Sequence, residues 1–342
     1  AAAGVAPWDT DIGRRRMYRA AIVGCTGIGR EHAAGLAGLA NVALVAACDL
    51  DADAAESFRE DMSDFWDDIE VYSSHRAMLA EQTLDVVTVA TGDNAHATIV
   101  VDAARAGVRG IFCEKPLATS IGDADRMIAA TQHAGTILSV DHTRRWQPLW
   151  KRAHERVTQD GAIGAVRSVI GALNGPRAML FRNGTHLIDA ICWFAGGSPD
   201  WVFAHLEDGY EHYGAYAGDG GHVPATEPAA SGYVHFDNGV RGFYTAGSKA
   251  TASQFSLDVV GETGRLIIDD QRATLIRDGQ EEVIETPPWT VTGIPAGAQE
   301  IVRLLDGDCE PSSPGDDAHK AVEITMGFLA SQQRGNARVD LR

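Results

Sequence analysis

Two rhythms of hydrophobic residues divide the chain. Up to about residue 140, short continuous apolar runs alternate with stretches of helical spacing. Residues 19–24 (RAAIVG), 42–48, 85–90 (DVVTVA), 108–113 and 136–140 read as strands, with a shorter run near Val71. Residues 28–39, 51–61, 77–81, 95–106 and 121–133 between them read as helices. Strands that are apolar throughout, rather than at alternate positions, are buried on both faces, and their alternation with helices predicts a doubly wound parallel sheet.

Past residue 141 the pattern changes. Residues 165–171, 201–205, 232–236, 240–246, 255–260, 265–268 and 274–277 are short strand candidates, several divided by turns such as Asp237, Asn238, Gly239. Such spacing predicts an open, mostly antiparallel sheet. Helical spacing returns at 186–194, the one strong internal helix, and at 297–305 and 316–332. The expected architecture is α/β: an N-terminal extension over 1–16, a nucleotide-binding domain over 17–140, and a substrate-binding and oligomerisation domain over 141–342. Residues 208–228, rich in Gly, Tyr and His, are too long for an ordinary hairpin loop and suit a lid, an oligomer contact or disorder.

Charge narrows the partners. The chain holds 29 Lys and Arg against 47 Asp and Glu, a formal charge of −18. That surface repels phosphate backbones and anionic lipid, so no nucleic acid and no membrane partner is expected. No apolar run reaches the length of a membrane span. Five scattered cysteines without a C-x-x-C spacing suggest a reducing, cytoplasmic setting. The first 16 residues lack the basic-then-apolar order of a secretory signal.

The turn after the first strand reads Gly24, Cys25, Thr26, Gly27, Ile28, Gly29. A dinucleotide fingerprint asks for glycine at its first, third and sixth places, for a tight turn, for close approach of pyrophosphate, and for helix packing. Gly24 and Gly29 comply. Thr26 occupies the middle place with Gly27 beside it, so either the threonine hydroxyl meets phosphate or the glycine role has moved one position. Asp49 closes the second strand, twenty residues after Gly29. There a carboxylate accepts from ribose hydroxyls and repels a 2′-phosphate, so the expected cofactor is NAD rather than NADP. Asp49 would otherwise cap the following helix.

Glu114, Lys115 and Pro116 end the fifth strand, at the edge where open α/β sheets bind ligands. Together with Ala21–Gly29 (AIVGCTGIG), residues 85–91 followed by His96, the Arg144-Arg145-Trp146 run, and Asn183 through His186 to Asp189, this text resembles the glucose–fructose oxidoreductase/inositol dehydrogenase/MocA family. The resemblance runs from Met17 onward. It implies a Rossmann domain and a second α/β domain, and oxidation of a carbinol or reduction of a ketone on a carbohydrate or cyclitol. Carried over, Lys115 hydrogen-bonds the reacting hydroxyl and His186 is its acid/base partner, since imidazole titrates near neutrality. Thr91, Asn94, His96, Glu114 and Lys115 fall on the nicotinamide side. Arg144, Trp146, Arg182 and Asn183 join Lys115 and His186 around substrate.

One departure stands out. The family often places an Asp four residues before this histidine, where the present chain has Arg182. Asp189, one helical turn after His186, is a candidate replacement as orienter, and Arg182 a candidate clamp for a substrate carboxylate. Tyr210, His212, Tyr213 and His222 are candidates to close over substrate; they show no metal-ligand spacing, and no metal is expected. Relatives assemble through the open sheet, so a homodimer or homotetramer is expected. Three readings follow: a dehydrogenase with exchangeable NAD, an enzyme that recycles tightly held NAD through transient oxidation, and a cofactor-bearing sensor without turnover.

Overall fold

The computed structural model describes residues 16–218, 220, 223–249, 252–286 and 288–341. Most of the N-terminal extension and His222 lie outside them. The first sheet contains β1 (Tyr18–Val23), β2 (Val42–Cys48), β3 (Glu70–Tyr72), β4 (Val86–Val89), β5 (Gly110–Cys113) and β6 (Ile137–Val140). All pair in parallel, in the order β3-β2-β1-β4-β5-β6. The residues of β4 and β5 are buried throughout, as continuous apolar strands require. Helices α1 (Ile28–Ala37), α2 (Ala52–Asp61), α3 (His75–Glu81), α4 (His96–Arg105) and α5 (Ile121–Ala134) make the crossovers. The order reverses between β1 and β4, which opens a crevice at their carboxyl ends.

The second sheet comprises β7 (Val166–Asn174), β8 (Pro199–Leu206), β9 (Ala230–Phe236), β10 (Arg241–Gly247), β11 (Gln254–Gly261), β12 (Arg265–Asp269), β13 (Ala273–Arg277), β14 (Gln280–Val283) and β15 (Val339–Asp340). Their order is β14-β13-β12-β11-β7-β10-β9-β8-β15, antiparallel except for the β7/β10 pair. Helices α6 (Pro148–Thr158), α7 (Thr185–Ala195) and α9 (Gly315–Gln333) cover one face. Helix α8 (Gly293–Asp306) instead returns to the parallel sheet, where Ala298, Ile301 and Val302 join Ile22, Leu36 and Phe112 in one core.

Both sheet types follow from the hydrophobic pattern, but α6 is an element the pattern did not mark. Its Pro148 reads as a breaker, yet sits at the first turn, where a missing N–H costs nothing. Only Trp150, Ala153 and Val157 are buried, so its apolar stripe is thin. Strand β14 is exposed along its whole length and β15 spans two residues, so neither carries an apolar signature.

The crevice is shaped by backbone contacts that exclude side chains. Gly24 has φ +96°, and a Cβ there would lie 2.3 Å from the carbonyl oxygen of Ala90 at the end of β4. A Cβ on Gly29 would lie 1.9 Å from the carbonyl oxygen of Gly24. Gly24→Ala should therefore destabilise the protein by about 2 kcal/mol or more, from strained backbone plus steric overlap. Urea unfolding at neutral pH checks this; an unchanged midpoint contradicts it.

Candidate active site

Helix α1 begins at the crevice without a side-chain cap. Its Gly29 and Arg30 amides close the first turn on the Thr26 and Gly27 carbonyls at 2.8 and 3.1 Å, and the positive end of the helix dipole there favours an anion. Thr26 and Gly27 are exposed, Ile28 is half-buried, and Gly27 has φ +42° with no atom within 4 Å of where a Cβ would stand. The backbone at Gly27 is thus open to close approach, with Thr26 exposed beside it. Asp49 accepts from the Cys25 amide at 2.8 Å and from the Asp51 amide at 3.0 Å. It ties the glycine turn to the end of β2 and keeps acceptor capacity for a ribose. The helix cap is Asp51, which accepts from Asp53 and Ala54. The nearby cation Arg30 is paired with Asp61 and donates to Ser57. These residues fit a dinucleotide with its pyrophosphate at Gly27 and its adenosine ribose at Asp49.

Beyond β4, Thr91 is half-buried and Asn94 exposed, but Asn94 Nδ2 already donates to the Ala217 carbonyl at 2.8 Å. His96 is fully buried, with Nδ1 2.9 Å from the Pro116 carbonyl and Nε2 3.2 Å from the Thr91 carbonyl. It links the two loops that border the crevice and touches no ligand surface, which corrects its expected cofactor contact. Glu114 is also buried beneath the site. Its carboxylate accepts from the Lys115 amide and lies 3.4 Å from His32 Nε2. His32, Glu114 and Asp141 converge within 4.8 Å, a buried trio with metal-ligand chemistry that spacing along the chain did not disclose. Burial opposes charge on Glu114, but His32 and Asp141 outweigh it and hold its pKa at about 2. Burial beside Glu114 pushes Asp141 well above the carboxylate range. The two carboxyls are thus pushed in opposite directions.

Lys115 leaves β5 over this trio, and the Lys115–Pro116 peptide is cis. Its Nζ donates to the carbonyl of Arg182 at 3.2 Å. Arg182 and Asn183 lie on a π-helical turn, Leu180–Gly184, that precedes α7. Such a turn frees carbonyls from the regular ladder, and it is a common feature of functional sites. Burial lowers the Lys115 pKa and Arg182 lowers it further, against Glu114, Asp93 and Asp141. His186, on the first turn of α7, is buried with no hydrogen-bond partner for Nδ1 among the described residues. Burial and the charges of Lys115 and Arg144 drive its pKa well below 6.5. It is therefore a neutral imidazole at physiological pH.

Asp189 does not orient His186. Its carboxylate grips Arg145 through Nε at 3.0 Å and Nη2 at 2.7 Å, and lies 3.4 Å from His142 Nδ1. Trp146 is likewise no substrate platform: it is 3% exposed and packs edge-on against Phe112. Arg144 does reach the site, lining a cleft of about 930 Å³ with Asn183, His186, Gln147, Trp150 and Asp270. The guanidinium of Arg182 points elsewhere, donating to the Gly220 carbonyl. Of the long segment, Tyr216 touches the site, donating to the buried Asp93. His212 is exposed, Tyr213 packs against Tyr210, and Tyr210 donates to Ala225.

A parallel sheet whose ligand edge faces a second sheet, with an amine and an imidazole between them, is the arrangement of a dinucleotide-dependent oxidoreductase. Comparison with known proteins agrees. Residues 18–142 match the oxidoreductase family model with an NAD-binding Rossmann fold, and residues 135–267 match the GFO/IDH/MocA C-terminal domain. The chain belongs to this family and binds NAD. It is 33% identical to D-apiose dehydrogenase of Paraburkholderia graminis over 94% of this chain and 89% of that one. It is 27% identical to myo-inositol 2-dehydrogenase of Thermotoga maritima over 75% and 77%. In fold it is similar to a levoglucosan dehydrogenase in complex with NADH, with TM-score 0.79, 17% identity and coverage of 95% and 99%.

Arg145→Met should cost about 3–5 kcal/mol, because Asp189 would be left charged and buried. Equilibrium unfolding measures it; a loss under 1 kcal/mol would show that the pair is dispensable.

Proposed function

We propose that the protein oxidises a secondary hydroxyl of a sugar, sugar derivative or cyclitol with NAD, or reduces the corresponding ketone. The observation that carries this reading is that Lys115 Nζ reaches the Arg182 carbonyl in the turn leading into α7, whose first turn bears His186 on the cleft wall. Bound NAD supplies the hydride acceptor. His186, already neutral, takes the hydroxyl proton. Lys115 leaves the Arg182 carbonyl to donate to the substrate oxygen and stabilise its developing charge. Glu114 lies beneath this ammonium as its counter-charge. The names of the apiose and inositol dehydrogenase relatives support carbohydrate-like substrates.

A second reading, in which NAD stays bound and is recycled during epimerisation, elimination or glycoside cleavage, draws support from the strap over the site. Tyr216, Ala217 and Gly220 bind Asp93, Asn94 and Arg182 respectively. Net NADH formation with a polyol favours exchange; turnover without it favours recycling.

Assembly belongs to the same proposal. One face of the second sheet carries a row of side chains from Phe203 through Tyr233, Phe243 and Ile170 to Asp258 and Ile267, paired strand to strand. Phe203, Phe243, Ile170 and Ile267 are each 38–44% exposed. A mostly apolar row of this kind, interrupted by the Asp258–Arg265 pair, suits a second copy of the chain. A cytoplasmic setting fits the unpaired cysteines, four of them buried.

Lys115→Met should lower turnover about 100- to 1,000-fold while NAD affinity stays within threefold. In the wild type, the acid limb of kcat/KM for oxidation should fall below pH 6.5, because only there does solvent protonate His186 and remove it as a base. The alkaline limb should begin below pH 10.5, as Lys115 loses its charge early. Full activity in the Lys115 variant, or an acid inflection at 6.5 or above, contradicts these roles. Phe243→Lys should shift the sedimentation coefficient to that of a monomer; an unchanged value removes this face as the interface.

A further inference from the structure

Helix α7 brings His186 to the cleft, but no hydrogen bond fixes the ring there. Its Nδ1 is buried without a partner among the described residues while the ring lines the cleft, so the nitrogen left to meet substrate is Nε2. An imidazole lacking a bond at Nδ1 turns about a broad, two-fold χ2, and half a turn would present a carbon in place of Nε2. Packing must therefore choose the orientation. The one ring against His186 among the described residues is that of His142, edge-on at 81° with centroids 5.9 Å apart. Aromatic pairs favour this arrangement.

We propose that His142 is a positioning residue, whose ring holds the His186 imidazole with Nε2 turned to the cleft. This rests on the dehydrogenase reading above and adds a residue to it. His142 is 1% exposed and meets three residues at the start of α7. Its Nε2 is 3.5 Å from the Thr185 hydroxyl, its Nδ1 is 3.4 Å from Asp189, and its ring abuts His186. Its main chain serves the turn after β6, where the amide donates to the Val140 carbonyl at 2.7 Å and the carbonyl accepts from the Arg145 amide at 2.9 Å. Neither bond calls for an imidazole. Long polar contacts add little to folding, and Asp189 is already gripped by Arg145, so stability gives a weak reason for a buried histidine here. Orientation of the base gives a stronger one.

The place of His142 along the chain supports this role. It directly follows Asp141, which lies with His32 and Glu114 beneath Lys115. One peptide bond therefore separates a residue under the amine from a residue against the imidazole. The charged groups that face His186 are Lys115 at the end of β5, Arg144 after β6 and Arg182 in the π-helical turn. Arg144 is held by Asp270, through Nε at 3.0 Å and Nη2 at 2.7 Å, and the guanidinium of Arg182 by the Gly220 carbonyl. A change at His142 leaves these charges in place and reaches His186 through packing and water access.

The test compares His142→Asn, His142→Phe and Thr185→Val in the whole protein. It reads the pH profile of kcat/KM on the best substrate among D-apiose, D-xylose, D-glucose and myo-inositol, and NMR titration of 15N-labelled histidines, with His186 assigned from a His186→Gln sample. His142→Asn should lower kcat about tenfold with KM changed by less than about threefold. It should also move the acid inflection up toward 6.5, because water reaches the ring where His142 stood. His142→Phe keeps an edge-on ring, so most of kcat and the wild-type inflection should return. Thr185→Val keeps the shape of its side chain but loosens His142, and should move the inflection upward by less than His142→Asn. NADH affinity and thermal midpoint identify the variants that fold. A His186 titration unmoved in every folded variant, or equal losses in His142→Asn and His142→Phe, would overturn the proposal. Absence of oxidation in the wild type strikes the dehydrogenase reading instead, because NMR reads the His186 ring without turnover.

Discussion

Arg145 carries a full charge into the seam between the two sheets, where an unpaired guanidinium would cost several kcal/mol. Its guanidinium makes four hydrogen bonds, to two helices and the loop before the second. Nε and Nη2 hold Asp189 on α7, and Nη1 reaches Asp317 on α9 and the Ser312 carbonyl before it. Arg145 itself follows β6, the last parallel strand. The parallel sheet, the helix that carries His186 and the long helix behind the second sheet are thus fixed to one planar group. Lys115 comes from the first of these and His186 from the second. Their separation is set by that guanidinium, while neither touches it.

This constraint also explains which residues could be read from the chain and which could not. Strand periodicity is local, so β1 to β6 and most of the second sheet stand out in the sequence. The glycine turn, Asp49, Lys115 and His186 stand out as candidates in the sequence because each sits at a strand end or a helix start. Asp189 was misassigned because one helical turn places it on the correct side of α7, whereas a partner 44 residues earlier claims its carboxylate. Trp146 reads as a sugar platform from its neighbours, yet its environment is set by Phe112 and by α8, which arrives from far along the chain. Asp141 and Asp270 gave no signal at all. Their meaning lies in partners that only the tertiary fold supplies.

The charge balance beneath Lys115 follows the same logic. Two carboxyls, an imidazole and an amine are packed where water is scarce, and each would be costly alone. Burial beside Glu114 raises Asp141, while Glu114 is held low by His32 and Asp141 and, further off, by the charge of Lys115. The site therefore enters its working state with its acids and bases already sorted by environment, as tuned active sites generally are.

The amine of Lys115 rests on main chain rather than on a side chain, since its acceptor is the carbonyl of Arg182 in the π-helical turn. A carbonyl is present whatever residue occupies position 182. The anchor of the lysine is thereby uncoupled from the identity of that residue, which is free to vary with the substrate. The arginine here, in place of the acid that the family resemblance implies, leaves that anchor intact. Substrate range in this fold can drift at a position in direct contact with the machinery, because the machinery leans on the part of that position that mutation does not change.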